Sequence, residues 1–283
     1  MKGFLPWLGG KHYLAKQIVS VIDGVPHRCY CEPFMGAAHV FFRREPAAVE
    51  VLNDLNSELV TLFRVLQWHL EEFLRYFKWA LVSRDEFARL NRQPPDTLTD
   101  IQRAARMYYL QKLSFGGRVT NRSFQAKSEG KPQLNLLRIE EELSQVHLRL
   151  ARVQSENLPW QECIRRYDRP HTLFYVDSPY YGVEDYYGKG LFKRSDFAEL
   201  ADVLANIKGQ FLLSLNDRPE VRRLFKGFHI QGVTTRYPVG NRSPTHVDRA
   251  QELLISSMPI RLPTGAMGPS EKGTGLGAIA QTK

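Results

Sequence analysis

The stretch 172–181, TLFYVDSPYY, runs as a mostly apolar, strand-like segment and stops at a carboxylate, Asp177. An aspartate at a strand tip accepts hydrogen bonds, for instance from an amino group. Pro179 locks its own φ and restricts the residue before it, so the Ser178 carbonyl is held as a second acceptor in the same turn. Tyr180 adds a flat face on which a planar base can stack. Two fixed acceptors beside an aromatic ring suit an aromatic exocyclic amine. A strand cap followed by a surface turn is the plainer use of the same residues.

Three further groups have chemical potential. Trp7-Leu8-Gly9-Gly10-Lys11 precedes the first helical pattern, and its paired glycines let a ligand approach the backbone. It is not a phosphate loop, because His12 follows Lys11 where Ser or Thr is required. Glu32-Pro33-Phe34-Met35-Gly36-Ala37-Ala38 sits at a strand-to-helix junction, where open α/β sheets bind ligands. Gly36 would let a nucleoside pass close to the chain. Asp54, just past the next strand, suits both hydroxyls of a ribose, or equally a helix cap. A dinucleotide fingerprint needs more glycines than are present, which argues against a pyrophosphate.

These groups need strands to position them. Helical spacing over 13–22 is followed by a strand at 27–32, a turn running into a helix at 34–42, a strand at 48–52 and a long helix over 57–80. Such alternation predicts a parallel α/β sheet. Residues 84–112 read as helical with a break at 93–96, 114–135 as a loop, and 138–152 as a helix. Alternation returns with a strand at 172–177, a helix at 195–207 and strands at 210–215 and 252–256. The expected organisation is a sheet domain over 1–62 and 163–262, an insertion over 63–162, and a disordered tail over 263–283.

Charge separates the insertion from the rest. The 283 residues have a net charge of +9 and are 43% hydrophobic. Between 101 and 138 lie Arg103, Arg106, Lys112, Arg118, Arg122, Lys127, Lys131 and Arg138, against one acid, Glu129, leaving +7 in that stretch. Basic residues interleaved with Phe115, Asn121 and Phe124 suit phosphate and base-edge contacts. Cys29, Cys31 and Cys163 form no disulfide framework, and Cys29-x-Cys31 reads as two strand cysteines without metal. No run of about 18 apolar residues exists to span a membrane. No secretory core precedes the interruption at Gly9, Gly10 and Lys11, so a cytoplasmic protein is expected.

Taken in order, WLGGK (7–11), EPFMGA (32–37), NDLN (53–56), DSPYYG (177–182), SLND (214–217) and ELLIS (252–256) resemble the DNA adenine-N6 methyltransferases of the Dam type, the D12 class. The resemblance covers nearly all of 4–260. It implies a Rossmann-like sheet that binds S-adenosylmethionine, with an inserted, mostly helical target-recognition domain. Trp7 and Lys11 would then contact the methionine end, Phe34 and Gly36 would line the adenosine passage, and Asp54 would hold the ribose. Asp177, Ser178, Pro179 and Tyr180 would form the catalytic turn, with Asp177 also bordering the cofactor. Arg118, Arg122, Lys112 and Asn121 would contact double-stranded DNA. The family's usual Asp-Pro-Pro-Tyr has Ser178 at its second position here, and its usual second glycine near the first strand is Ala38. The alternatives are a cytosine-N4 methyltransferase, whose motif usually begins with serine, and a catalytically impaired DNA-binding relative. A monomer is expected, with a restriction endonuclease partner compatible with the role.

Overall fold

The fold was obtained as a computed structural model that describes residues 3–11, 13–126, 134–184, 190–237 and 248–262. The tail expected over 263–283 lies outside the described residues, as do Lys127 and Lys131. Seven strands among the described residues form one sheet: β1 (Cys29–Glu32), β2 (Val49–Asn53), β3 (Gln154–Glu156), β4 (Thr172–Val176), β5 (Gln210–Asn216), β6 (His229–Tyr237) and β7 (Asp248–Ser256). Their order is β3-β2-β1-β4-β5-β7-β6. The pairs from β3 to β5 are parallel, whereas β7 runs antiparallel to both neighbours. The winding reverses between β1 and β4. Loops leaving those two strands diverge and open a crevice at their carboxyl ends.

The helices are α1 (Ala15–Asp23), α2 (Ser57–Trp68), α3 (Leu70–Phe77), α4 (Arg84–Arg92), α5 (Asp100–Leu113), α6 (Ile139–Leu150), α7 (Trp160–Tyr167), α8 (Asp196–Asn206) and α9 (Pro219–Leu224). Strand residues alternate between two apolar layers, as a pleated backbone requires. Tyr30, Leu52, Tyr175 and Leu212 face the layer containing Ile18 of α1 and Leu62 of α2. Cys31, Val51, Phe174 and Leu213 face Cys163 of α7, Leu200 of α8 and Val221 of α9. The Cys31 and Cys163 sulfurs lie 3.7 Å apart as buried free thiols.

Several elements depart from the sequence pattern. The helix expected over 57–80 is two helices, broken at His69 (φ −134°, ψ 39°). The turn at 34–42 leads into a single 3-10 turn, Phe41–Arg43, because Gly36 and Ala38 both take positive φ and cannot join a right-handed helix. Strands β3 and β6 lie at the two sheet edges. Neither shows an apolar run: β3 is QSE, and over 229–234 only Val233 is buried. Because β3 pairs with β2, the chain rejoins the sheet inside the span 63–162.

The inserted helices share the core of one sheet face. Phe73, Tyr108 and Leu143 belong to the same apolar cluster as Tyr30 and Leu52. A buried ionic hub reinforces that junction. Glu50 of β2 accepts hydrogen bonds from Arg44 and from Arg149 of α6. The two guanidiniums lie over the rings of Tyr30 (3.9 Å) and Phe41 (3.7 Å). Arg44 also donates to His27 Nε2 at 2.8 Å, which leaves the proton on Nδ1 to donate to the Val25 carbonyl at 2.7 Å. Burial, with Arg44 nearby, holds the His27 pKa below its ordinary value. No helix among the described residues is long and apolar enough to cross a membrane. Glu50→Ala would strand two largely buried guanidiniums without their carboxylate. The expected loss of stability is about 3–5 kcal/mol, read from the denaturant midpoint.

Candidate active site

Asp177 follows β4 directly and lines the cleft at the winding reversal, with its side chain 23% exposed. The Lys11 ammonium, almost fully buried, sits 2.6 Å from Asp177 Oδ1. Ser214 of β5 donates to the same oxygen at 3.1 Å, and the Tyr175 hydroxyl lies 3.0 Å from Ser214 Oγ. Oδ2 takes no hydrogen bond from a described residue. Burial raises the Asp177 pKa and Lys11 opposes the rise. The carboxylate is therefore anchored through one oxygen in a residue that lines the cleft.

Tyr180 is anchored through the same lysine. Its hydroxyl accepts from Lys11 at 3.1 Å and donates to Glu252 Oε1 of β7 at 2.7 Å. The ammonium also stands 4.5 Å from the Tyr180 ring centroid and donates to the Gly9 carbonyl at 3.1 Å. Lys11 thus spends hydrogen bonds on Gly9, Asp177 and Tyr180. The turn itself is clamped from β5: Asn216 accepts from the Tyr181 N–H at 2.9 Å and donates to its carbonyl at 3.0 Å. Ser178 is 2% exposed, and its buried hydroxyl finds no hydrogen-bond partner among the described residues.

The opposite wall is built from the ends of β1 and β2. Gly36 has φ 47°, and a Cβ there would lie 2.9 Å from Trp7 Nε1, so only glycine fits. The Gly36 N–H donates to Asp54 Oδ2 at 3.0 Å, and the Asn56 N–H donates to Oδ1 at 2.9 Å. Burial pushes the Asp54 pKa up while these backbone bonds hold it down. Asn53 joins two cleft loops, donating to the Pro33 and Leu158 carbonyls at 2.9 and 3.0 Å and accepting from the Leu158 N–H at 2.9 Å. Phe34 packs against Trp160 and Phe192 with centroids 6.1 and 5.7 Å away, forming an apolar wall. The cleft between the walls encloses about 860 Å³ out to its open mouth.

Glu32 stands on the cleft floor, 1% exposed. It accepts from the Tyr30 hydroxyl at 2.7 Å and the Phe41 N–H at 3.0 Å. Burial pushes its pKa up to about 8, against the Tyr30 hydrogen bond and with help from the nearby Asp177 charge.

The basic insertion ends in a hairpin-like loop after α5. Ser114 bridges Phe124, and the Phe115 N–H donates to the Ser123 carbonyl at 2.9 Å. Arg118 and Asn121 are exposed at its tip, with Asn121 at φ 48°. Lys112 and Arg122 are tied inside instead. Lys112 pairs with Glu142 at 3.4 Å, and its side chain is 13% exposed. Arg122 points at the Met107 sulfur (3.3 Å), and burial lowers its pKa to about 10. Arg106 is also buried, donating to the Leu90 carbonyl at 2.8 Å, so the +7 of this stretch is not all presented to solvent.

A family model of the D12 class N6 adenine-specific DNA methyltransferases matches residues 7–239, spanning both walls of the cleft and the insertion between them. The chain belongs to this class. Similar proteins include the Type II methyltransferase M1.LlaDCHI of Lactococcus lactis subsp. cremoris, 24% identical over 91% of this chain and 95% of that protein. The DNA adenine methylase of Serratia marcescens is 28% identical over 41% of this chain and 43% of its own length. That of Escherichia coli K12 is 27% identical over 41% and 42%. Membership makes this an adenine-specific enzyme and sets aside the cytosine-N4 alternative.

The methyltransferase brings Trp7, Lys11, Phe34, Gly36, Asp54, Asp177 and Tyr180 to one place. Asn53, Ser214, Asn216 and Glu252 complete the site without having been assigned a role from sequence. A signal for Glu252 was present: an acid opening the apolar run ELLIS needs a buried partner. Trp160 and Phe192 carried no local signal beyond their size. Because the native Glu32 carboxyl retains its proton well above the unfolded value of about 4.3, stability is highest at low pH on its account. It falls as pH rises through about 8. Melting temperature is expected to drop between about pH 4.5 and pH 8 and to level off above, and Glu32→Gln to flatten that dependence.

Proposed function

We propose that the methyltransferase moves the methyl group of S-adenosylmethionine to N6 of an adenine swung out of double-stranded DNA, with Asp177 and the Ser178 carbonyl gripping the amine. The observation that carries the reading is the one-sided anchoring of Asp177 in the cleft lining, where Oδ2 takes no hydrogen bond from a described residue. The cleft residues fit the cofactor. The bare backbone at Gly36 under Trp7 suits a nucleoside passing close to the chain, and Asp54 fronts the same hollow. Phe34, Trp160 and Phe192 provide an apolar wall for a purine. When bound, S-adenosylmethionine supplies a methyl group already activated on positive sulfur.

The residues of this chain do the rest by positioning and charge. An adenine amine is a poor nucleophile because its lone pair is delocalised into the ring. Asp177 Oδ2 and the Ser178 carbonyl accept its two N–H groups and favour a more tetrahedral nitrogen. The Asp177 charge then stabilises the positive charge the nitrogen acquires as the carbon–sulfur bond breaks, and one of its two protons leaves to solvent to give neutral N6-methyladenine. Holding the partners in line contributes most of the remaining acceleration. Extruding the base costs a few kcal/mol. The Tyr180 ring, held by its hydroxyl to Lys11 and Glu252, offsets part of that cost by stacking. Lys11 serves the site by orienting Asp177 and Tyr180.

The insertion reads the DNA. Arg118 and Asn121, exposed at the tip of the loop after α5, are the contacts assigned to it. Lys112 and Arg122 support that loop from within. A cytoplasmic monomer, with or without a partner nuclease, accommodates these roles.

Incubation with radiolabelled cofactor and unmethylated DNA is expected to place label in N6-methyladenine; label in N4-methylcytosine would reject the assignment. Asp177→Ala should lower transfer by about 10²–10³-fold or more while DNA affinity stays close to wild type, since Glu252 still neutralises Lys11. Transfer should also fail on the acid side as Asp177 takes up a proton and ceases to accept, at a pH above its ordinary pKa. Ser178→Pro removes a partnerless hydroxyl and stiffens the turn; turnover is expected to hold or rise, with about 1 kcal/mol or more of added stability by thermal melting.

A further inference from the structure

Gln111 lies on the last turn of α5 and is completely buried. Its amide nitrogen donates to the Pro6 carbonyl at 2.9 Å and to the Gly117 carbonyl at 2.7 Å. The Leu8 N–H donates to the same Gly117 oxygen at 3.1 Å. Gly117 has φ 66°, and a Cβ there would lie 2.8 Å from the Trp7 nitrogen and 3.0 Å from the Pro6 carbonyl carbon. Two hydrogen bonds, Gln111 to Pro6 and Leu8 to Gly117, and a contact with no room for a methyl group therefore join two segments more than one hundred residues apart, while the Gln111–Gly117 bond fixes the amide within the second. One segment carries Trp7, Gly9 and Gly10 of the cleft wall. The other is the base of the loop whose tip exposes Arg118 and Asn121. Among the described residues the buried Gln111 Oε1 finds no hydrogen-bond partner, so there the two carbonyls orient the amide.

We propose that Gln111 is a positioning residue that makes cofactor occupancy and DNA recognition mutually dependent, an inference that rests on the methyl-transfer reading above. A molecule docked against Trp7–Gly10 restrains that segment. Through Gln111 and the Leu8–Gly117 bond, the base of the DNA-reading loop loses the same freedom. The entropy cost of ordering both segments is then met once, by whichever ligand arrives first. Each ligand must strengthen the other by the same factor, because linkage is reciprocal. A buried glutamine serving only as structural glue would stabilise the fold but leave that factor untouched.

The test uses the full chain and S-adenosylhomocysteine, the non-reacting product of the cofactor. Its dissociation constant is measured calorimetrically with and without excess unmethylated plasmid DNA. Wild type is expected to bind it about 5-fold tighter or more with DNA present. Gln111→Met keeps size and loses both donors, and should bring the ratio near one while affinity without DNA changes less than about twofold. Gly117→Ala, which wedges the same junction, should also bring the ratio near one, although by displacing Trp7 it also weakens binding without DNA. A wild-type ratio of one, or an unchanged ratio in a folded variant, overturns the proposal. Hydrogen exchange on wild type serves if neither variant folds: the Leu8 and Gly117 amides should slow together when S-adenosylhomocysteine is added, and indifference at Gly117 overturns the relay. Failure of wild type to bind S-adenosylhomocysteine or DNA at all would instead reject the methyl-transfer reading.

Discussion

One buried ammonium organises this molecule. Lys11 is removed from water and must be matched by nearby negative charge and hydrogen bonds, or the site would not assemble. Asp177 and Glu252 supply the charge, and Gly9 and Tyr180 the additional acceptors. The N-terminal loop, the turn after β4 and the middle of β7 converge on a single nitrogen. The same convergence orients the reactive group. Lys11 and Ser214 occupy one oxygen of Asp177, and the other takes no hydrogen bond from a described residue. The sheet makes this geometry available by reversing its winding between β1 and β4, where loops part and a ligand can enter.

The other loops at the strand ends are held by the same principle on a smaller scale. Asn53 bridges the loops after β1 and β3, Asn216 clamps the Tyr181 peptide, and Glu50 gathers two arginines beneath the insertion. Each is a buried polar group whose bonding demand can be met in only one arrangement of its neighbours. Apolar packing alone would tolerate small slips of these loops. The polar hubs remove that tolerance where a ligand requires a defined cavity. The insertion is drawn into the same scheme, since its helices complete the core of one sheet face.

Two local departures from the family pattern show what such scaffolding tolerates. Ala38 stands at φ 51°, a conformation that disfavours a side chain by about 1–2 kcal/mol. The buried Ser178 hydroxyl has no partner among the described residues, which costs about 1–3 kcal/mol. Neither change removes an acceptor from the site. The Ala38 N–H still donates to the Met35 carbonyl at 2.7 Å, and Asn216 with Pro179 still defines the turn. The costs fall on stability, and the surrounding hubs keep both segments in place.

Much of the catalytic centre was legible in the linear chain. A carboxylate ending an apolar run, a proline-stiffened turn, a glycine after the first strand and an acid after the second each express a local demand of backbone geometry or burial. Helix and strand alternation was readable for the same reason, where periodicity was strong. It failed at β3 and β6, which lie at the sheet edges and carry no apolar run. It also failed at 34–42, where two positive φ angles replaced a helix. The sequence by itself determined which residues could act as acceptors, cradles and charges. Only the tertiary structure decided that Lys11 meets both Asp177 and Glu252, and that Lys112 and Arg122 turn inward while Arg118 stays outside. Those outcomes depend on strand order and on the direction in which each side chain is packed, and neither spacing nor charge count carries that information.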